Sequence, residues 1–258
     1  MRVFYCKDTN FGDDLNEYLV RKKGLPFEYT ENKKEPYYLL VGSLFHQRYV
    51  SPNAIVCGIG IGNRYEVFLK PKDIFLVRGP YTRQRCLELG YPCPTNYGDP
   101  ALILPDLYHP AIEPSVEVAF LPHKVDTLYL KKYLEDHPPP FTYIVVDLEV
   151  DYTGIEKVVS QMLQGKKVVA SSLHGIIAGH AYKKPTIWMK THHALHGDGI
   201  KFLDHFATMK IEAIPRDLDY NTLLLDYPQP NPTHLQEVVQ CVRSQIEKVF
   251  AQNNEASH

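Results

Sequence analysis

The hydrophobic pattern is clearest at residues 167–188, where two apolar stretches flank a polar centre. The short apolar run at 168–170 is typical of a buried parallel strand. Ser171 and Ser172 interrupt this run, and a longer apolar stretch follows them. The pattern therefore predicts a strand, a turn and then a helix.

The residues before this strand have the periodicity of an amphipathic helix. Its apolar face consists of Ile155, Val158, Val159, Met162 and Leu163. Thr153 and Glu156 have the spacing of a capping box, and Gly165 is suited to the end of the helix. Residues 153–188 are thus expected to form helix, strand, helix and strand, the alternation of a parallel α/β sheet.

The first half of the chain alternates in the same way. Asn10 and Gly12 suit a turn, and Asp13 and Asp14 fall in the first turn of a helix that follows it. Apolar runs predict strands at 2–6, 37–41, 54–58 and 74–77.

The pattern loosens at residues 112–114, before a new strand at 116–121. We therefore expect two α/β domains, an N-terminal one at 1–114 and a C-terminal one at 115–258. The final helix has an apolar stripe that needs a partner surface, and Thr233 with Gln236 fits a capping box at its start. We expect this helix to cross back to the first domain.

Composition and charge exclude several classes of protein. The 258 residues include 28 basic and 30 acidic side chains, so no general nucleic-acid-binding surface is expected. No apolar run approaches the roughly 18 residues that span a bilayer, and the N-terminus lacks a signal-peptide pattern. Five scattered cysteines without a C-x-x-C pair argue against a disulfide framework. We expect a cytoplasmic protein, either free or peripheral at the inner face of the membrane.

The polar centre of residues 167–188 stands where ligands bind in parallel sheets. Ligands lie beyond the carboxyl ends of the strands, where the next helix offers unpaired N–H groups. His174 falls there together with Ser171 and Ser172. A histidine at this place can donate to an anion or move a proton near neutral pH. The alternative is that His174 only caps or packs the turn.

Two further strand ends carry charged candidates. Asp13 follows the first strand, where it could accept a proton from an alcohol or could simply cap the helix. Arg78 follows the fourth strand, where its guanidinium could bind a carboxylate or phosphate through two hydrogen bonds. The alternative for Arg78 is an exposed strand end.

Three other patterns do not indicate a site. The glycine-rich stretch 58–62 lacks the G-x-G-x-x-G spacing, and no Gly-Lys-Ser/Thr follows it. Asp99 precedes a proline and is interpreted as a turn residue. His192 and His196 are four residues apart, but no apolar helical face accompanies them, so we expect no zinc site.

Five motifs follow one another through most of the chain. They are N-F-G-D from Asn10, V-R-G-P-Y-T from Val77, G-D-P-A-L-I-L-P from Gly98, S-S-L-H-G-I-I-A-G-H-A-Y-K-K-P-T-I-W from Ser171 and K-F-L-D-H-F from Lys201. Their order and spacing resemble the polysaccharide pyruvyl transferase family. The resemblance implies two Rossmann-like domains facing a cleft, similar to the GT-B glycosyltransferases.

The resemblance also implies roles for individual residues. It places the family's donor-binding arginine and histidine on Arg78 and His174, and its N-terminal acid on Asp13. We expect His174 to be the acid-base centre, and Asp13 is the weaker candidate for activating the acceptor hydroxyl.

The expected donor-binding set includes the turn at the start of the helix. It consists of Arg78, Ser171, Ser172 and Gly175 with a lysine. Many relatives carry arginine where this chain has Ser172, and whether Lys183, Lys184 or Lys201 compensates stays open.

The implied reaction transfers pyruvate from phosphoenolpyruvate onto a sugar diol as a ketal. The acceptor would be a cell-surface polysaccharide, such as a capsule or exopolysaccharide, or its lipid-linked precursor. This scheme requires no metal or redox cofactor. The same fold could host a GT-B-type glycosyltransferase that uses a nucleotide sugar, or a non-catalytic glycan-binding protein. The sequence does not identify the acceptor sugar.

Overall fold

A computed structural model describes residues 1–190, 192–193 and 197–255. These residues form eight α-helices and two sheets whose paired strands are all parallel. The strands of the first sheet end at residue 76, and those of the second begin at residue 116. The α/β class is confirmed and is compatible with two Rossmann-like domains. A domain boundary near residue 115 stays a prediction.

The first sheet has the strand order β2-β1-β3-β4-β5. Its strands are β1 (Arg2–Val3), β2 (Glu28–Tyr29), β3 (Tyr37–Leu39), β4 (Ala54–Cys57) and β5 (Asp73–Leu76). Its helices are α1 (Phe11–Lys22), α2 (Pro80–Glu88) and α3 (Leu104–Leu107), with a 3-10 turn at Pro100–Ile103 before α3. Strands β3 and β4 are buried throughout, which explains their continuous apolar runs. Strand β2 has no such run and was not predicted.

The second sheet has the strand order β7-β6-β8-β9. Its strands are β6 (Val116–Leu121), β7 (Tyr143–Val145), β8 (Gly165–Ala170) and β9 (Thr186–Trp188). The helices of this half are α4 (Thr127–Asp136), α5 (Ile155–Leu163), α6 (Leu173–Ala181), α7 (Ile200–Thr208) and α8 (Pro232–Glu255). The predicted order of helix, strand, helix and strand is confirmed for α5, β8, α6 and β9.

The start of α5 differs from the predicted capping box. The N–H of Thr153 donates to the side chain of Asp151 at 2.9 Å, and Glu156 accepts from the Tyr18 hydroxyl at 3.2 Å. Gly165 begins β8 instead of ending the helix. The predicted box is wrong because an aspartate two residues earlier caps the turn and Glu156 binds α1.

The final helix packs against the first half of the chain, as predicted. It contacts β4, β5 and the 3-10 turn Pro100–Ile103. Gly98 has a φ of 143°, and a Cβ there would lie 2.3 Å from Val242, so a glycine is needed for this close approach. The predicted Thr233 cap is wrong, because Asn231 Oδ1 accepts the N–H groups of Thr233 and His234.

Each sheet has a point at which the strand order reverses. The reversal lies between β1 and β3 in the first sheet and between β6 and β8 in the second. In parallel sheets, ligands bind beyond the strand ends at this point. The two halves meet at these ends, because Lys124 after β6 binds Asp8 after β1, and the Phe11 N–H donates to Leu148 O at 2.8 Å. The fold therefore brings both reversal points together.

The described residues can be examined for membrane-spanning helices, disulfides and metal sites. No helix in this part of the chain is both long and apolar enough to cross a bilayer. All five cysteines are free. The residues described contain no group of three or more His, Cys, Asp or Glu side chains that could hold a metal ion. His196 lies outside the described residues.

Candidate active site

His174 lies in the first turn of α6, directly after strand β8. Ser172 is the N-cap residue, and its Oγ accepts a hydrogen bond from the Gly175 N–H at 3.4 Å. His174 is 8% exposed, so most of the imidazole is enclosed by protein. The predicted strand-to-helix position is confirmed, and it coincides with the reversal point between β6 and β8.

Asp99 faces His174 from the first half of the chain. His174 Nε2 and Asp99 Oδ2 are 3.5 Å apart, and neither buried atom has a hydrogen-bond partner among the described residues. The other oxygen, Oδ1, accepts from the Ala101 N–H at 2.9 Å and caps the 3-10 turn. The turn interpretation of Asp99 is therefore correct for one oxygen only. The other oxygen is placed to orient the imidazole, a role that the sequence did not reveal.

Gly12 provides the surface on which the His174 ring lies. A Cβ at Gly12 would be 1.9 Å from His174 Nδ1, so any side chain there would displace the ring. Gly12 belongs to the first turn of α1, which follows β1. The glycine of the N-F-G-D motif thus serves a contact between the two halves as well as a local turn.

Asp13 lies beside this contact, at the reversal point of the first sheet. Its Oδ2 accepts from the Asn10 side chain at 2.8 Å, and its Oδ1 would be 3.5 Å from a Cβ at Gly42, after β3. Burial raises the pKa of Asp13, and the nearby His174 opposes that shift. Asp14, not Asp13, accepts the Asn10 backbone N–H, at 3.1 Å. The contact to the Asn10 backbone is thus made by Asp14, and a catalytic role for Asp13 stays a prediction.

Lys201 is a cation in the first turn of α7, and the charge of Asp13 acts on it. Burial lowers the pKa of Lys201 to about 8, with a further decrease from Arg78 and an opposing effect of Asp13. Burial likewise lowers the pKa of His123, after β6, to about 4, and Lys201 contributes to that shift. His123 is therefore neutral at pH 7, and Lys201 remains mostly charged.

The other two candidate lysines are at the far end of α6. Lys183 follows the helix, so it is roughly 13 Å along the axis from His174 at 1.5 Å per residue. Lys184 Nζ donates to the carbonyl oxygens of Leu163 and Gly165 at 3.1 and 2.8 Å. Of the three candidate lysines, Lys201 is the one whose pKa responds to Asp13.

The remaining residues of the predicted donor-binding turn have structural contacts. Ser171 Oγ accepts from the His123 N–H at 2.9 Å, which joins the ends of β6 and β8. Gly175 packs against β6, where a Cβ would be 3.0 Å from Leu121 Cβ. A donor-binding role for Ser171, Ser172 and Gly175 stays a prediction.

Arg78 is enclosed, with no exposed surface. Its Nη1 donates to Ser43 Oγ at 2.9 Å, its Nη2 donates to Ile61 O at 2.6 Å, and its Nε lies 3.4 Å from Asp204 Oδ2. A Cβ at Gly60 would be 2.3 Å from the guanidinium carbon. Arg78 is not the exposed strand end considered as the alternative. Its donor-binding role stays a prediction, and the observed contacts favour a structural role.

Asp204 of α7 is the partner that encloses Arg78. Its carboxylate accepts from the Tyr81 and Thr82 N–H groups at 2.9 and 3.1 Å and from Thr82 Oγ1 at 2.6 Å, which caps α2. Burial raises the pKa of Asp204, and Arg78 and these hydrogen bonds oppose that shift. The K-F-L-D-H-F motif thus provides both Lys201 and the acid that anchors α7 to the first half.

A buried histidine pair connects the helices that carry His174 and Lys201. His180 Nδ1 of α6 lies 3.0 Å from His205 Nε2 of α7. Burial lowers the pKa of His180 to about 3 and lowers that of His205 well below its ordinary value. Both rings are therefore neutral at pH 7 and share one hydrogen bond, which fixes α6 relative to α7.

Comparison with known proteins gives the following results. A family model described as polysaccharide pyruvyl transferase matches residues 5–193, which include Asp13, Arg78, Asp99 and His174. An uncharacterized protein of Acanthamoeba polyphaga mimivirus is 28% identical over 218 residues, which cover 81% of this chain and 74% of the relative. No solved structure gives a significant match.

Proposed function

The chain belongs to the polysaccharide pyruvyl transferase family, and from this premise we propose that it transfers the pyruvyl unit of phosphoenolpyruvate to two hydroxyl groups of one sugar, forming a ketal. The observation that carries the proposal is the meeting of His174 with Gly12 and the neighbouring Asp13, at the reversal points of both sheets. The proposal includes a GT-B-like cleft between the halves and a cytoplasmic setting, free or at the inner face of the membrane.

The reaction has a balance of protons that the site must manage. The methylene carbon of phosphoenolpyruvate gains one proton and becomes a methyl group. The two sugar oxygens bond to the adjacent carbon, and its bond to the phosphate oxygen breaks. The two hydroxyl groups lose two protons. One of them balances the proton that the methylene carbon gains, and the other leaves with inorganic phosphate. The chemistry therefore needs a group that gives and a group that takes protons.

His174 is the acid-base centre in this proposal. Its Nε2 is buried and faces Asp99, so in this proposal Nδ1, on the side of the ring that lies against Gly12, exchanges protons with the substrates. Asp99 acts as a positioning residue, because a carboxylate at one ring nitrogen fixes the tautomer and stabilises the protonated ring. The separation of 3.5 Å is long for a hydrogen bond, and such contacts often shorten when substrates bind.

Asp13 takes a proton from an acceptor hydroxyl in this proposal. Burial raises the pKa of its carboxyl group, which makes it a stronger base than an exposed aspartate. Asn10 holds the carboxylate through its side chain, and no backbone N–H in the described part of the chain donates to it. Asp13 is therefore free to bind a hydroxyl group.

The donor anion binds at the start of α6 and at Lys201 in this proposal. Phosphoenolpyruvate carries a carboxylate and a phosphate, and helix N-termini and cations bind such groups. Lys201 takes the place of the arginine that many relatives have at Ser172. Arg78 is buried and does not contact the donor in this proposal, but its positive charge attracts the donor anion at a distance. No metal or redox cofactor is required by the scheme.

Release of inorganic phosphate from phosphoenolpyruvate tests this function. We expect release that depends on an acceptor glycan, together with a ketal on the product by mass spectrometry. A glycosyltransferase would instead release a nucleotide from a nucleotide sugar, and a non-catalytic glycan-binding protein would turn over neither donor. Absence of acceptor-dependent phosphate release across a broad panel of glycans would contradict the proposal.

A further inference from the structure

A separate cavity of about 230 Å³ lies on the second half of the chain. It is bordered by α4, by the residues that follow β9 and by the segment at 217–218. Pockets for drug-sized ligands are typically about 300–1,000 Å³. The cavity is therefore suited to one small ring rather than to a large ligand.

One wall of the cavity is an aromatic surface that is held in place. The ring of Tyr129 stacks on His192 with centroids 3.6 Å apart and planes 10° apart. Asp126, which is 2% exposed, accepts the backbone N–H groups of His192 and His193 at 3.2 and 3.0 Å. This carboxylate holds the backbone of His192 and His193 and thereby the stack. Tyr129 still exposes 36% of its surface, so part of the ring is available to a ligand.

The opposite wall is also fixed before any ligand binds. The Tyr133 hydroxyl donates to Leu218 O at 3.4 Å, and the Lys190 N–H donates to Arg216 O at 2.8 Å. Leu218 and the buried Met189 give this wall an apolar surface. The protein would lose little conformational entropy on binding a ligand, because hydrogen bonds already hold the residues that line the cavity.

The charges of the cavity favour a neutral, hydroxyl-rich ligand. Two of its charged groups are the acids Asp126 and Asp217, and its cation Lys190 is paired with Asp217 at 2.9 Å. An anion such as phosphoenolpyruvate would meet these acids. A sugar ring instead offers an apolar face to Tyr129 and Tyr133, and hydroxyl groups that can donate to a carboxylate and accept from an ammonium group.

The cavity is also close to the candidate active site. Asp126 ends the 3-10 turn Lys124–Asp126, for which His123 is the N-cap residue, and three residues of such a turn rise about 6 Å. His123 is in turn hydrogen-bonded to Ser171, three residues before His174. These contacts connect the border of the cavity to the start of α6.

We infer that the cavity lined by Tyr129, Tyr133 and Lys190 binds a sugar residue of the acceptor glycan, next to the sugar that receives the pyruvyl group. This inference rests on the proposed function for the identity of the glycan as acceptor. It assigns acceptor recognition to the second half of the chain, on the other side of His123 from His174.

Saccharide binding without donor tests the inference independently of turnover. The probes are methyl hexopyranosides and their disaccharides, observed by saturation-transfer NMR with the full chain. Tyr129→Ala should weaken binding about 3- to 10-fold, the contribution of one aromatic contact. Tyr65→Ala is the matched control, because Tyr65 is 78% exposed and lies in the first half. It should bind like the wild type.

A second variant guards against a folding defect in Tyr129→Ala. Lys190→Ala changes an exposed side chain and should also weaken saccharide binding while thermal unfolding stays unchanged. Phosphoenolpyruvate affinity should be unchanged in both variants. Unchanged saccharide binding in Tyr129→Ala and Lys190→Ala, or weakened phosphoenolpyruvate binding instead, would overturn the inference. If the two variants lose saccharide binding but the wild-type protein never releases phosphate from phosphoenolpyruvate, the saccharide site is supported and the proposed function is refuted.

Discussion

Two buried pairs of polar groups join the halves of this chain, and they differ in how completely they are hydrogen-bonded. Arg78 of the first half lies 3.4 Å from Asp204 of the second. Asp99 of the first half lies 3.5 Å from His174 of the second. In each pair a group after a strand faces an aspartate from the other half, so their positions alone do not distinguish them.

The hydrogen-bond partners distinguish the pairs. Both oxygens of Asp204 accept hydrogen bonds, and both terminal nitrogens of Arg78 donate one. In this first pair Arg78 Nε alone is buried without a hydrogen bond to the described residues, whereas in the second pair both facing atoms, Asp99 Oδ2 and His174 Nε2, lack one. Unpaired buried polar groups are destabilising, by about 1–3 kcal/mol each, so their retention calls for an explanation other than stability.

From this difference we propose a role for each pair. A pair whose hydrogen bonds are nearly all made has little left to offer a ligand, and it holds α2 and α7 together. A pair with unused hydrogen-bonding capacity can tighten when the imidazole gains a proton or when substrate binds. We therefore expect changes at Arg78 and Asp204 to alter stability, and changes at His174 and Asp99 to alter turnover.

The largest expected effect is on turnover at His174. General acid-base help is typically worth about 10²–10⁴-fold in rate, so His174→Ala should lower kcat at least to the low end of that range. His174→Gln can form hydrogen bonds but cannot carry protons, and it should be nearly as slow. The measurement is acceptor-dependent phosphate release, with circular dichroism to check the fold.

The glutamine variant decides between two roles for His174. Near-normal turnover in His174→Gln would make the histidine an anion-binding donor, and the proton would have to come from another group. Near-normal turnover in His174→Ala would remove His174 from the site altogether.

The next effect is on stability at Asp204. Asp204→Ala leaves the buried guanidinium of Arg78 without its acid and should lower the free energy of unfolding by about 3–5 kcal/mol. Urea unfolding measures this loss. Arg78→Lys is the companion variant, because it keeps the charge but cannot reach both Ser43 and Ile61 with a planar group. It should lower stability while phosphoenolpyruvate affinity is retained.

The Arg78→Lys variant also tests the donor-binding prediction. Weakened phosphoenolpyruvate binding at unchanged stability would show that Arg78 contacts the donor. That result would contradict the assignment of Arg78 to structure.

A smaller effect is expected at Gly12, where the His174 ring contacts α1. The Cβ of Gly12→Ala would overlap His174 Nδ1, and overpacking typically costs about 1–3 kcal/mol. Turnover should fall as well, because the ring must move. Gly62→Ala is the control, since the atom nearest to its Cβ would be 3.7 Å away. Equal effects of both substitutions on stability and turnover would show that the contact is unimportant.

The sequence predicted those features that depend on local pattern. The strand-to-helix turn at His174, the helix that begins near Asp13 and the crossing of α8 follow from apolar periodicity and turn residues. Strand β1 is shorter than the apolar run at 2–6 predicted. Strand β2 has no apolar run, so the sequence pattern missed it. Capping residues were misplaced because nearby Asp and Asn side chains compete for the same N–H groups.

The partners within the site could not be predicted, because they lie far apart in the sequence. Asp99 has the same Asp-Pro pattern whether or not a histidine from the other half faces its second oxygen. Arg78 follows a strand whether it is exposed or enclosed, and its burial depends on Asp204 from a later helix. The motifs that contain Gly12, Asp99 and Asp204 were noted, but their contacts required the fold.

The smallest expected effect concerns the charge of Lys201. Its pKa of about 8 means that the ammonium form is lost as pH rises through 8. The dissociation constant of phosphoenolpyruvate should therefore increase, by about tenfold at most, between pH 7.5 and 9. Lys201→Arg keeps its charge in this range and should remove the dependence. The same pH dependence in both proteins, measured by calorimetry, would exclude Lys201 as a donor ligand.

The most direct test of the account is a double-mutant cycle on turnover between Asp99 and His174. Asp99→Asn keeps an oxygen for the Ala101 N–H but loses the carboxylate that faces the imidazole, and it should lower kcat by about 10- to 100-fold. If Asp99 acts through His174, adding Asp99→Asn to His174→Ala should cause no further loss. If the two losses multiply in the double variant, Asp99 does not act through His174, and the account is contradicted.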